Sequence, residues 1–284
     1  QGVGRRQRQM GIRDRFRTYT IYTLEGRVHN GMLAGESKTA VELVDAEAKR
    51  HTILREDIDE LIASPKSLMP EGLNRIFFVS GGSEAVESAI KLARQYAVST
   101  DQGSRWKVIS RDPSYHGSTL GALALTGYDP LTEPFLPMMR SMPKIPAPRA
   151  YLDGLDPDDE ATGLHYANML ETKILEEGPE TVLAFIVEPV GGASTGALVP
   201  PKGYMERVQE ICRKYDVLLI FDEVMTGAGR TGRFLAGEHW NLEPDIVVMS
   251  KGFAAGYVPL GAMAAHDRLI DPVLEAGERI AGVG

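Results

Sequence analysis

Cysteine is nearly absent: the 284 residues hold one, Cys212. A lone thiol excludes an internal disulfide and fits a reducing compartment. Its spacing on the apolar side of an expected helix assigns it to the core. No apolar run approaches the roughly 20 residues that a membrane-spanning helix needs. No signal-peptide core follows the arginine-rich start either. Positive charge is in deficit, with 31 Lys and Arg against 39 Asp and Glu for a formal net charge of −8. That balance argues against a nucleic-acid partner for the whole chain. The expectation is a soluble cytoplasmic protein with no membrane association. Apolar content is ample at 43%, enough to bury the core of one large domain or two small ones.

Charge is unevenly spread. Residues 1–17 carry Arg5, Arg6, Arg8, Arg13, Arg15 and Arg17 against Asp14 alone, which reads as a disordered or surface arm rather than a binding arm. Residues 18–73 form a small β-rich segment. Tyr19–Thr23 alternates, Glu25-Gly26 turns, and Val28–Leu33, Ala40–Leu43 and His51–Leu54 follow. This spacing predicts an antiparallel meander or barrel. Asp57–Ile62 reads as a short helix ended by Ser64-Pro65. His29 and His51 stand alone and read as strand or surface histidines.

From Asn74 the pattern becomes strand–helix alternation, the signature of an α/β domain. Arg75–Val79 is an apolar strand, and Ser80-Gly81-Gly82-Ser83 turns into a helix with Ala85, Ala89, Leu92, Ala93 and Tyr96 on one face. Such a turn lets backbone N–H groups hold a phosphate, although glycines there also serve as plain turn chemistry. Trp106–Ser110 is a second strand, leading to Tyr115-His116-Gly117 and a small-residue helix over Thr119–Thr126. Tyr115 either stacks on an aromatic ligand or packs beneath its loop. Tyr128–Gly163, rich in Pro and Asp, reads as irregular. Helices are expected over His165–Glu177, with Leu164, Ala167, Leu170 and Ile174 inward, and over Gly203–Tyr215. Between them lies a buried strand, Val182–Val187, ending in Glu188-Pro189.

Two further apolar runs, Val217–Phe221 and Ile246–Met249, are separated by a helix-sized segment. They read as neighbouring parallel strands buried on both faces. Asp222-Glu223 closes the first and Ser250-Lys251 follows the second. Ligands of open α/β sheets sit beyond the carboxyl ends of the strands, and a lysine buried there is costly unless it works, for instance as a Schiff base to a carbonyl cofactor. Together the strand ends carry Gly82-Ser83, Tyr115-His116, Glu188, Asp222 and Lys251. A phosphate cradle, an aromatic platform, an acid and a lysine are what pyridoxal 5'-phosphate requires. No metal site is expected.

FFVSGGSEAVESAIKLARQY, SYHGSTLGALALTG, IVEPVGG, LLIFDEVMTGAGRTGRF and PDIVVMSKGFAAGYVPLGA resemble the class III, fold type I, pyridoxal-phosphate-dependent aminotransferases over about residues 74–271. The resemblance implies a fold type I large domain over 74–284, a mostly parallel sheet with helices on both faces, preceded by the small β-rich segment. It implies that Gly82 and Ser83 bind phosphate, that Tyr115 stacks on the ring with His116 beside it, and that Asp222 meets the pyridine nitrogen. Val224 would pack on the other ring face, Lys251 would hold the Schiff base and carry the proton, and Glu188 would support them from behind. Amino transfer from an amino acid or ω-amine to a keto acid or aldehyde is the implied activity, in a homodimer. Mutase or racemase chemistry on the same lysine is the alternative reaction.

The chain ends 33 residues after Lys251, so a C-terminally truncated domain is expected, and a non-catalytic hybrid is the alternative to an enzyme. LEGRVHNGMLAGES through ILREDIDELIASPKSLMPEGL resembles, over residues 15–73, the C-terminal part of a c-type haem-binding domain. There Met69 would correspond to an iron ligand. The attachment motif C-x-x-C-H is missing, so no haem is expected.

Overall fold

The structure is a computed structural model that describes residues 17–45, 49–67 and 72–281. The chain divides into two compact units, with the boundary after Asn74.

In the first unit, five antiparallel strands form one sheet: β1 (Arg17–Thr23), β2 (Val28–Glu36), β3 (Ala40–Val44), β4 (Arg50–Leu54) and β5 (Ile58–Ser67). Their order is β4-β3-β2-β1-β5. Period-two alternation sends Ile21, Val41, Leu43 and Ile53 into a small buried cluster, against which Tyr19, Leu33 and Ile58 pack. The helix expected over 57–62 is instead strand β5. Proline did not prevent it, because β5 is an edge strand and Pro65 sits in a bulge. Arg17 lies opposite Ser67 and Tyr19 opposite Ala63, so three residues of β5 face one of β1. Edges and bulges are where a sheet tolerates a residue without an N–H. Met69 lies outside the described residues. Among the described residues, no group of three or more His, Cys, Asp or Glu is placed to hold a metal.

The second unit is built on seven strands in the order β6-β12-β11-β10-β9-β7-β8. These are β6 (Arg75–Val79), β7 (Lys107–Asp112), β8 (Lys144–Pro146), β9 (Val182–Val187), β10 (Leu218–Asp222), β11 (Ile246–Met249) and β12 (Gly261–Ala265). Pairs from β11 through β8 are parallel, with Ile220 beside Ile246 and Leu219 beside Phe185. β12 runs antiparallel to both neighbours, which leaves β6 pointing the same way as β11. Among the described residues, five α-helices of six or more residues accompany the sheet: α1 (Gly82–Ser99), α2 (Leu120–Leu125), α3 (Glu160–Glu177), α4 (Tyr204–Lys214) and α5 (Asp267–Ala281).

Every residue of β9, β10 and β11 is buried, which requires cover on both faces. On one face Ala85, Val86, Ala89 and Leu92 of α1 pack with Ile186, Ile220, Ile246 and Val248. Elsewhere α3 and α4 pack on each other and α4 on β10. Cys212 is wholly buried on α4, where desolvation raises its thiol above the ordinary range. Strand β12, spelled GAMAA, carries none of the large β-branched or aromatic residues that mark a strand, and β8 lies inside the stretch expected to be irregular. Leu164, expected inward, is exposed. The connection between β10 and β11 holds only a short 3₁₀ turn, Ala236–Trp240.

Candidate functional site

Because β6, β7, β9, β10 and β11 share one direction, their carboxyl ends open on one edge of the sheet. A cavity of about 630 Å³ lies there. Gly82 and Ser83 after β6, Tyr115 and His116 after β7, and Glu188 after β9 line it. So do Asp222 and Val224 at the end of β10 and Lys251 after β11. All eight residues singled out from the sequence therefore converge on one cavity.

The cavity wall formed by α1 has no side-chain cap. Gly81 occupies the N-cap in an extended conformation and supplies no side-chain cap hydrogen bond. Uncapped N–H groups at a helix N-terminus form an anion site. Gly82 sits in a close approach: a Cβ there would stand 3.1 and 3.2 Å from the two Val224 methyl groups, which would have to give way by a few tenths of an ångström. Ser83 Oγ accepts from the Ser118 N–H at 3.0 Å, tying the Tyr115–Thr119 loop to the helix. Glu87 secures the same loop, accepting from Thr119 Oγ1 at 2.8 Å and the Ala122 N–H at 3.2 Å. Gly117, at φ +138°, leaves room for this junction, since a Cβ would fall 2.6 Å from Ser83 Oγ.

Asp222 and His116 form a buried pair, 4% and 2% exposed. His116 Nδ1 and Asp222 Oδ2 are 2.8 Å apart, and Asp222 Oδ1 accepts from the Val224 N–H at 3.1 Å. The His116 N–H donates to Thr126 Oγ1 at 2.9 Å, so the histidine is fixed from its backbone as well as its ring. Its Nε2 is buried without a hydrogen-bond partner among the described residues. Glu188 is buried too, and Oε1 accepts from the Gly192 N–H at 3.1 Å. Burial pushes its carboxyl above the ordinary range; His116 and Arg111 act against that shift and Asp222 adds to it.

Lys251 does not occupy the buried position expected of it: it is exposed, at the start of a 3₁₀ turn over Lys251–Ala254, with φ +48°. Its ammonium has no hydrogen bond or ion pair among the described residues. It lines the cavity from the rim, where its charge keeps its water. The preceding residue is anchored, with Ser250 Oγ donating to the Leu260 carbonyl at 2.8 Å. Tyr115 is also at the rim, 36% exposed, and is therefore not packed beneath its loop.

Several lining residues escaped the sequence reading: Tyr128, Leu131, Ser194 and Met225. Tyr128 and Leu131 fall in the proline-rich stretch, which carries no periodic signal. Glu223, wholly buried, was noted only as Asp222's neighbour. It accepts from the Gly237 N–H at 2.9 Å and from Thr226 Oγ1, so it secures the connection that follows β10. Burial raises its carboxyl above the ordinary range.

The family model for class-III aminotransferases matches residues 40–279. The uncharacterized aminotransferase YodT of Bacillus subtilis is 41% identical over 226 residues, covering 80% of this chain and 51% of that protein. Among solved structures, an (S)-enantioselective ω-transaminase from Thermomicrobium roseum matches with a TM-score of 0.69 and 40% identity, over 73% of this chain and 46% of the other. The Pseudomonas jessenii ω-transaminase in complex with PMP matches with a TM-score of 0.70 and 33% identity, over 78% and 48%. The chain spans about half the length of the curated relatives it matches. The haem-domain likeness of residues 15–73 is not among these matches, and the family model takes in residues 40–73 of that stretch.

Proposed function

Since this chain belongs to the class-III aminotransferases, we propose that its cavity binds pyridoxal 5'-phosphate and serves amino transfer from an amino acid or ω-amine to a keto acid or aldehyde. The observation that carries the reading is the convergence of an uncapped helix N-terminus, a buried acid, an aromatic ring and an unpaired lysine on one cavity.

The residues fit the cofactor's chemistry. Backbone N–H groups at Gly82 and Ser83 suit its phosphate. Asp222 suits a protonated ring nitrogen, since a buried carboxylate that retains acceptor capacity stabilises a cation strongly. Tyr115 and Val224 suit its two faces. The chemistry that bound pyridoxal phosphate supplies is an electron-withdrawing ring conjugated to a carbonyl.

The rest falls to the protein. Lys251 Nζ would hold the cofactor's carbonyl carbon and would serve as the base that moves a proton from and to the donor's α-carbon. Its place on the rim leaves the amine exposed beside the cavity. His116 fixes the orientation of the Asp222 carboxylate through its Nδ1. Glu188 supports the wall beside them. A homodimer in the cytoplasm belongs to the same proposal, and exposed Phe135, Met138 and Tyr257 supply apolar surface for a partner copy.

The test is cofactor titration followed by borohydride reduction and peptide mapping, in wild type and Lys251→Ala. The label is expected on Lys251 and nowhere in the variant. A label that persists at another lysine would reject the assignment. Turnover is then screened with ω-amines and pyruvate. Racemisation or 1,2-shift of the amine in place of exchange would assign the mutase or racemase class instead.

A further inference from the structure

Arg111 is the largest fully buried side chain of the described residues, 1% exposed, one residue before the end of β7. Isolated buried cations are costly, and burial is tolerated when a counter-charge and hydrogen bonds compensate. The counter-charge here comes from the end of β9. Arg111 Nη2 donates to the Glu188 carbonyl oxygen at 2.8 Å and stands 3.8 Å from Glu188 Oε2.

That second distance is an ion pair without a hydrogen bond. Oε2 of Glu188, and Nε and Nη1 of Arg111, have no hydrogen-bond partner among the described residues. Two charged side chains are thus buried against each other while much of their hydrogen-bonding capacity stays unspent. This arrangement is poor for stability, because two apolar residues of equal volume would cost less. Its consequence lies at the cavity, since Glu188 is one of the lining residues.

We infer that Arg111 is a positioning residue: its guanidinium keeps Glu188 as a carboxylate in the cavity wall, giving the wall a second fixed negative charge beside Asp222. Glu188 is faced by Arg111 from β7, His116 from the loop after β7, Asp222 from β10 and the N–H of Gly192. Arg111 is faced in turn by Tyr204 from α4. Of these groups, Arg111 is the one cation whose charge does not depend on pH. Each acid of the wall then has its own support, His116 for Asp222 and Arg111 for Glu188.

The test reads stability rather than turnover, so it stands or falls separately from the proposed amino transfer. Urea unfolding of the full chain is followed against pH for wild type, Arg111→Met, Arg111→Lys, Glu188→Gln and the double variant Arg111→Met/Glu188→Gln. Without the guanidinium, buried Glu188 takes up a proton in the folded state while the unfolded chain stays ionised. The folded state then binds more protons, so stability falls as pH rises. Relative to wild type, Arg111→Met should lose up to about tenfold in the folding equilibrium constant per pH unit, starting above the ordinary glutamate range. Below that range the gap should be smallest.

Arg111→Lys, which retains the charge, should not show this slope. In the Glu188→Gln background, adding Arg111→Met should produce a difference independent of pH. If Arg111→Met does not fold, Arg111→Gln removes the charge with a polar replacement and must show the same slope. A gap between wild type and Arg111→Met that is constant with pH would mean that Arg111 acts through packing alone, and would overturn the inference. So would an unchanged slope in the Glu188→Gln background.

Discussion

Asp245, 1% exposed immediately before β11, offers a case where magnitudes separate two explanations for one residue. Its Oδ2 accepts from the buried Leu219 N–H at 2.7 Å. Its Oδ1 accepts from Arg213 Nη1 at 2.8 Å and from Arg268 Nη2. The two arginine side chains are 44% and 45% exposed, so each pair contributes roughly 0.2–1 kcal/mol. Removing the acceptor from the buried Leu219 N–H costs about 1–3 kcal/mol by itself. Asp245→Ala should therefore destabilise by roughly 2–4 kcal/mol, most of it from the orphaned amide. Asp245→Asn keeps an acceptor for that amide and loses only the ion pairs, so its cost should be about 1 kcal/mol. Urea unfolding of the three proteins at low and at molar salt measures both numbers. Salt should shrink the Asn gap, which is electrostatic, and leave most of the Ala gap. If the two variants cost the same, the arginines dominate and the reasoning is wrong. The position matters for the site because Asp245 joins β10 to the start of β11, and Lys251 follows the far end of that strand.

Asp222→Asn replaces a charged acceptor with a neutral one at one of the cavity's two buried acids. It should weaken cofactor binding by about 10-fold, the difference between a charge-assisted and a neutral hydrogen bond, and cut turnover by more than that. Absorbance titration and a donor assay check the two numbers, and turnover equal to wild type would remove Asp222 from the mechanism. Glu223→Gln tests the sign of a buried carboxyl. Its folded value is raised by burial, so the stability it contributes is present below the ordinary glutamate range and is lost as pH rises through the folded value. The Gln variant should flatten that fall in urea unfolding measured from pH 4 upward. An unaltered slope would show that Glu223 is ionised in the folded protein throughout.

Two kinds of strand were readable from the sequence: the alternating ones of the first unit, with one face buried, and the continuous apolar runs of the second, most of them buried on both faces. A run such as VLAFIV has no polar position because no position meets water, and the residue that breaks it marks the strand's end. In a parallel sheet the carboxyl end is also where ligands bind, so Glu188, Asp222 and Lys251, at or just past those ends, were candidates before any contact was known. β12 was unreadable because it lies in the same buried sheet with small residues. Packing constrains it: a Cβ at Gly261 would stand 2.5 Å from the Gly81 carbonyl, so the crowding that selects glycine there erases the usual strand signal. The 58–67 strand was misread for the opposite reason. Pro65 is a local signal, and the edge position that makes it harmless is a property of the whole sheet.

Contacts between candidates were less legible than the candidates themselves. His116 and Asp222 are 106 positions apart and leave strands that are not neighbours, since β9 lies between β7 and β10. Their contact depends on the course of the loop after β7, which Ser83 and Glu87 secure from α1 and Thr126 secures through the His116 N–H. Arg111 shows the same limit from within a strand. In KVISRD it looks like the residue that ends an apolar run and turns to water, whereas β9 alongside it ends in a carboxylate that lets the arginine point inward. A charged residue at a strand end thus has two physical solutions, solvent or a partner on the adjoining strand. The choice between them follows from strand order, which no local pattern in the chain encodes.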